Sequence, residues 1–355
     1  MRVEVLLSGI AFAVSLGLAE CALRIAMPEL GQPDDRLLLT TEAPIRDDLG
    51  AIRHAPHRSV RSVLMYGDEF EIDTTFPTND LGLVDHRDYL PAATTSPRYA
   101  IVGDSYAAGV EGGRPWVPAV RDRLGIHAYA LGMGATGVLG FERMLQSISR
   151  WLSFTDVVFV AISDDFHRAL WRPLTRGDEI RLCADAESDA ACAEHPPTAY
   201  LMRADSSDAD LVAQARLIQA ERASRRGFVR SWLRKSRFLT LLRNTAETQF
   251  PESGRRILFD ESLAALARVR SAHPDARIRF VHVPDRYETE RGRYDLDLAQ
   301  ALAGTGIEYL PVLGSCPWST ERYFARDNHP DAAGYEALAR CVAGLLAWEP
   351  ASGRH

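Results

Sequence analysis

Over residues 98–348 apolar and polar positions follow two periods in alternation. Short β-branched or continuously apolar runs occur at RYAIVGDS (98–105), IHAYALGM (126–133), DVVFVAIS (156–163), RIRFVHVP (277–284) and IEYLPV (307–312). Runs of this length predict strands buried on both faces. Between them WVPAVRDRL (116–124), VLGFERMLQSISRWL (138–152), FDESLAALARVRSA (259–272), LDLAQALAG (296–304) and DAAGYEALARCVAGLLAW (331–348) carry helical spacing, with Asp260 as the expected N-cap of the third. Alternating strands and helices predict an α/β fold: a flavodoxin-like three-layer α/β/α arrangement around a central parallel sheet. Residues 166–256 break the alternation and are expected to form a helical insertion. Residues 28–96 are polar and read as a linker followed by irregular or short-strand structure. The expected organisation is a membrane anchor or signal segment (1–27), a linker and extension (28–96), a main domain (97–349) and a tail (350–355).

The first apolar run, Val5 to Ala19, is fifteen residues long and is followed by Glu20 and Arg24. A spanning helix needs about 20 residues. With Glu20 at headgroup depth and Arg24 snorkelling, residues 3–27 reach that length, so an inner-membrane anchor is the expectation. A cleaved signal with its exit at Gly17-Leu18-Ala19 and a buried N-terminal helix are the alternatives. A second amphipathic feature lies between Arg222 and Arg243, where eight basic residues interleave with Phe228, Trp232, Phe238 and several leucines. It reads either as a cap helix with solvated arginines or as a surface for anionic lipid or an acidic envelope protein partner.

Composition narrows the picture. The chain has 355 residues, 46% hydrophobic and 25% charged, which is ordinary for a globular protein and excludes a disordered or multi-span one. The net charge of −7 argues against nucleic acid as a partner. Five cysteines are present. With Cys21 inside the expected anchor, Cys183 with Cys192 and Cys316 with Cys341 suit two disulfides in an oxidising compartment; four free thiols are the alternative. No CxxC pair supports a zinc site.

Candidate chemistry sits where strands end. Loops at the carboxyl ends of parallel strands converge on one crevice, and four such segments stand out: Gly103-Asp104-Ser105, Leu131 to Gly137, Ser163-Asp164-Asp165, and Asp327-Asn328-His329-Pro330. A serine nucleophile needs a base within hydrogen-bond reach and a third group to orient that base. Ser105, His329 and Asp327 supply those three types. Backbone N–H groups at Ser105 and in the glycine-rich loop are candidate oxyanion donors. The glycine-rich LGMGATG lacks the lysine of a phosphate loop and the GxGxxG spacing. Asp164, Asp165 and His167 are weak metal candidates, and Asp165 reads better as a tie across the crevice. His282 reads as a satisfied core histidine. No metal or cofactor is expected.

IVGDSYAAG, ALGMGATG, AISDDF and RDNHPDAAGYEALA resemble, in this order, the four blocks of the SGNH/GDSL hydrolase superfamily. TNDLGLVD (78–85), AECALRIA and WLRKSRFLTLLRN are similar to a membrane-anchored bacterial subgroup. The resemblance implies catalytic Ser105, His329 and Asp327, an oxyanion hole from Ser105, Gly134 (or Gly132 or Ala135) and position 164, and supporting roles for Asp104 and Asp165. It implies a serine esterase or O-acetyltransferase acting on acylated carbohydrate of an envelope or secreted polysaccharide, with the catalytic domain facing the periplasm or exterior. Two departures stand out. Asp164 occupies the position of a donor asparagine, and an ionised carboxylate cannot donate. Asp327 precedes His329 by two residues, where many members have three. A non-catalytic envelope protein that binds a glycan or a membrane partner is the alternative.

Overall fold

The structure, a computed structural model, describes residues 2–26, 36–67, 69–90, 98–113, 115–224, 236, 238–239 and 253–347. The chain divides into two compact units. One comprises Met1–Leu37, Tyr66–Asp68 and Ser207–Arg256; the other comprises Leu38–Met65, Glu69–Ser206 and Ile257–His355.

The larger unit contains a five-stranded, wholly parallel sheet: β1 (Arg98–Gly103), β2 (His127–Gly132), β3 (Asp156–Ala161), β4 (Arg277–His282) and β5 (Ile307–Pro311), in the order β5-β4-β3-β1-β2. The winding reverses between β1 and β3, so the loops leaving their carboxyl ends part in opposite directions and open a crevice there. Side-chain alternation divides the strands between two cores. Ala100, Val102, Val157, Phe159, Ile278 and Phe280 pack with Leu145 of helix Val138–Ile148 and Leu266 of helix Ser253–Ala272. Ile101, Val158, Val160 and Val281 face the other way, onto Val117 and Val120 of helix Val117–Leu124 and Leu338 and Val342 of helix Ala332–Ala347. Full burial stabilises each such Val, Ile or Phe by about 1.5–3 kcal/mol. The strands are therefore apolar throughout, which is what made them visible in the sequence.

Two expectations about the elements are corrected. Asp260 is not an N-cap: the helix already runs from Ser253, because Leu258 and Phe259 continue its core-facing stripe backwards. The segment 166–256 is not purely helical. Strands Trp171–Arg176 and Glu179–Ala184 pair antiparallel across a two-residue Gly177-Asp178 turn with Gly177 at φ +61°, the geometry that glycine permits in tight hairpins. They join Ala199–Leu201, Arg36–Thr40, Ser59–Tyr66 and Glu69–Pro77 in a six-stranded mixed sheet. Cys183 bonds to Cys192, and Cys316 to Cys341, in the pairing expected from the sequence.

TNDLGLVD locks the extension onto β2. Asn79 Oδ1 accepts from the N–H groups of Leu81 and Leu83, both at 3.0 Å. Asp85 takes hydrogen bonds from Arg121 (2.9 Å) and Tyr89 (2.8 Å), and Tyr89 Oη in turn accepts from the Ala130 N–H of β2 at 2.7 Å.

In the smaller unit, helix Arg2–Ala26 holds Glu20, whose carboxylate accepts from Ser236 Oγ (3.0 Å) and the Phe238 N–H (3.1 Å). Helix Asp208–Ser224 directs Gln219 Nε2 onto the Gly67 carbonyl at 2.7 Å. Among the described residues no helix is long and apolar enough to cross a membrane. This overturns the expected inner-membrane anchor at 3–27 and the localisation built on it. Arg2, Glu4, Glu20 and Arg24 leave a fifteen-residue apolar run, short of the roughly 20 a span requires. Most of the basic stretch 222–243, the start of the linker and the tail 350–355 lie outside the described residues.

Candidate active site

Ser105 opens a four-residue helix, Ser105–Ala108, directly after β1. Asp104 caps that helix by accepting from the Tyr106 N–H at 2.8 Å. The tight exit from the sheet depends on two glycines in register, Gly103 and Gly132. A Cβ on Gly103 would lie 2.0 Å from the Val160 carbonyl oxygen, and one on Gly132 would lie 2.2 Å from the Ala108 nitrogen. Only hydrogen fits at either place.

His329 arrives from the loop between β5 and helix Ala332–Ala347. Its Nε2 lies 2.8 Å from Ser105 Oγ, and its Nδ1 bonds to Asp327 Oδ1. The same carboxylate oxygen accepts the His329 backbone N–H at 2.9 Å. This tight loop is how a two-residue spacing supplies the orienting carboxylate. Tyr106 braces the arrangement: its hydroxyl donates to the Asn328 carbonyl, and its ring lies 5.4 Å from the imidazole. Burial pulls the His329 pKa down, but the Glu111 carboxylate, the bond and charge of Asp327 and the charge of Asp104 outweigh it, raising it to about 9.

The glycine-rich loop turns at Ala135, which adopts φ +62°, and Thr136 Oγ1 closes the turn on the Met133 carbonyl at 2.6 Å. Gly134 is the loop residue facing the serine: a Cβ there would stand 3.8 Å from Ser105 Cβ. Among the described residues, no turn, loop or cap backbone bond uses the Ser105 or Gly134 N–H, which makes both candidate donors to an oxyanion.

Asp164 does not take part as a donor. Its side chain is 57% exposed, and its carboxylate accepts from Arg168 Nε at 3.0 Å. Asp165 is fully buried and accepts the Ile162 N–H at 3.0 Å, which ties down the end of β3. Its pKa is pushed up by burial and by the neighbouring Asp104 charge, against the pull of Arg168. His282 is a core residue with satisfied partners: Ser163 Oγ at 3.0 Å, Tyr309 Oη at 2.9 Å, and a stacked Tyr294 ring. Among the described residues, Asp164, Asp165 and His167 do not form a metal-ligating cluster. The cluster that does emerge, Glu187, Cys192 and His195, includes a cysteine already spent in a disulfide.

Two charged residues escaped the sequence reading. Arg168 Nη1 donates to Asp104 Oδ2 (3.1 Å) and the Thr136 carbonyl (3.0 Å), and it lies 2.7 Å from Asp165 Oδ1. One guanidinium thus clamps the exits of β1, β2 and β3. The only sequence signal was its position four residues after Asp164. Glu111 Oε1 stands 3.9 Å from His329 Nε2, and no pattern in VEGGR pointed to it.

No protein-family model matches the chain, and neither does any curated protein. Solved structures similar to it include an α/β hydrolase enzyme from the metagenome of Lake Arreo, Spain, with 10% identity over 72% of this chain and 98% of that one, at a TM-score of 0.37. Another is an acetyl xylan esterase from the rumen bacterium Butyrivibrio proteoclasticus, with 11% identity over 83% of this chain and 75% of that one, at a TM-score of 0.35.

Proposed function

We propose that the chain is an SGNH-type serine esterase or O-acyl transferase. The observation that supports this best is the 2.8 Å contact between Ser105 Oγ and His329 Nε2, with Asp327 on the far nitrogen of the ring. When Ser105 Oγ attacks an ester carbonyl, its proton passes to Nε2 as the new C–O bond forms. The Ser105 and Gly134 N–H groups receive the oxyanion, and Asp327 stabilises the imidazolium. His329 then returns the proton to the departing alcohol, leaving an acyl-Ser105 ester. Water or a second hydroxyl, deprotonated by His329, attacks that ester and frees the serine. Water as acceptor gives hydrolysis; a sugar hydroxyl gives transfer. The resemblance carried by the four sequence blocks points to acyl esters of carbohydrate as the substrate class.

A catalytically weak or inactive protein is the second reading. The Asp164 carboxylate favours it, because it supplies no amide donor, and loss of one oxyanion donor costs about 10²–10³ in rate. Incubation of the purified full chain with p-nitrophenyl acetate, followed by mass spectrometry, separates the two. The expected result is an acetyl adduct on Ser105 that Ser105→Ala abolishes. A wild-type chain with neither adduct nor turnover across the pH range decides for the second reading.

A further inference from the structure

His329 carries a carboxylate on each side of its ring. Asp327 serves Nδ1, and Glu111 approaches Nε2, the nitrogen that must accept the Ser105 proton. Glu111 is held in place. Its side chain is 17% exposed, and its Oε2 accepts from Tyr335 Oη at 3.2 Å. Tyr335 is buried on helix Ala332–Ala347, and its hydroxyl also lies 3.3 Å from the Ser105 carbonyl. Gly112 gives the Tyr335 ring its room: a Cβ there would lie 2.4 Å from the ring.

We propose that Glu111 is a positioning residue that acts through His329, keeping the imidazole charged in the resting site and confining acylation of Ser105 to alkaline pH. This rests on the reading of Ser105 and His329 as nucleophile and base. An imidazole protonated on both nitrogens has no lone pair for the Ser105 proton, so the Oγ–acyl bond cannot form until one proton leaves to solvent. The charged groups facing His329 are Glu111 from the loop after helix Ser105–Ala108, Asp104 from the end of β1 and Asp327 from its own loop, with the Tyr106 and Tyr335 hydroxyls beside them. Asp104 is shared with Arg168, whose Nη1 lies 3.1 Å from Asp104 Oδ2, whereas the Glu111 charge acts directly on the imidazole. An opposite charge at this range shifts a titration by about 1–3 pH units.

The test is a histidine titration of the full chain by NMR, with His329 assigned through His329→Asn, alongside the pH profile of acylation by p-nitrophenyl acetate. Wild-type His329 is expected to titrate near pH 9. Glu111→Gln is expected to lower that midpoint by about 1 pH unit or more and to move the rising limb of acylation equally. Glu111→Asp, whose shorter arm withdraws the charge, is expected to fall between the two, and it carries the test if the glutamine variant does not fold. An unchanged midpoint in a folded variant overturns the proposal, even if Ser105 is acylated normally. A shifted midpoint with no acylation at any pH leaves the coupling standing and removes the esterase reading instead.

Discussion

At the residue scale, the crevice turns on how three acidic groups are held by one base. Asp104 and Asp165 are both fully buried, and Arg168 is the cation that faces them. Stripping one partner from a buried ion pair leaves a charge with neither water nor counterion, at a cost of about 3–5 kcal/mol. Arg168→Met is therefore expected to lower unfolding stability by about 3 kcal/mol, read as a reduced urea midpoint at constant m-value. Asp164 poses a gentler question, because it is exposed and already engaged with Arg168 Nε. In Asp164→Asn the amide oxygen retains that bond, while the NH₂ group becomes a donor and the local negative charge disappears. The acylation rate is expected to rise by about tenfold, toward the range associated with one oxyanion donor; a fall would show that the carboxylate itself is used. Sequence blocks offered Ser105, Asp327 and His329 as candidates because Ser105 follows directly on a strand and the other two lie just before the last helix. Glu111 and Arg168 escaped because a charged loop residue has no periodicity, and its meaning lies entirely in what it meets across the fold.

At the scale of elements, legibility followed burial. The five parallel strands are covered on both faces, so they are apolar at every step and stand out against the helices between them. The strands of the mixed sheet carry residues such as Arg172, Thr175, Arg176 and Arg181 and merge into the surrounding polar sequence. Their one local mark was the Gly177-Asp178 turn. Helix Ala332–Ala347 has a further restraint in the Cys316–Cys341 bond, which ties it to the segment after β5 across a separation of 25 residues. A crosslink over a loop of that size constrains the unfolded chain by about 3 kcal/mol. The double variant Cys316→Ser, Cys341→Ser is expected to lose about that much stability in denaturant, and the loop that carries His329 lies between the two cysteines.

For the whole molecule, buried histidines contribute to the dependence of stability on pH. Burial depresses His282 to about 3 and His54 to about 4. Unfolded, each binds a proton near pH 6.5, so the unfolded state gains protons first, and stability is lost as pH falls from about 6.5 toward 3. His329 is raised to about 9 by Glu111, Asp327 and Asp104 in spite of its burial. Its contribution is complete below pH 6.5 or so and is lost as pH climbs through 9. Thermal unfolding across pH is thus expected to show greatest stability near pH 6–7, with a fall on both sides. Glu111→Gln should soften the alkaline fall alone. A stability curve flat from pH 6 to 10 would contradict the charged His329.

By itself the sequence determined the parallel α/β layers and suggested the cysteine pairing, because both are written in a local pattern: continuous burial, or count and spacing. The tertiary structure alone decided that the polar insertion contributes strands to a second sheet and that Asp164 is turned onto Arg168. It also decided that the imidazole lies between two carboxylates. These depend on which groups from distant segments share a low-dielectric space, and no spacing along the chain encodes that distance.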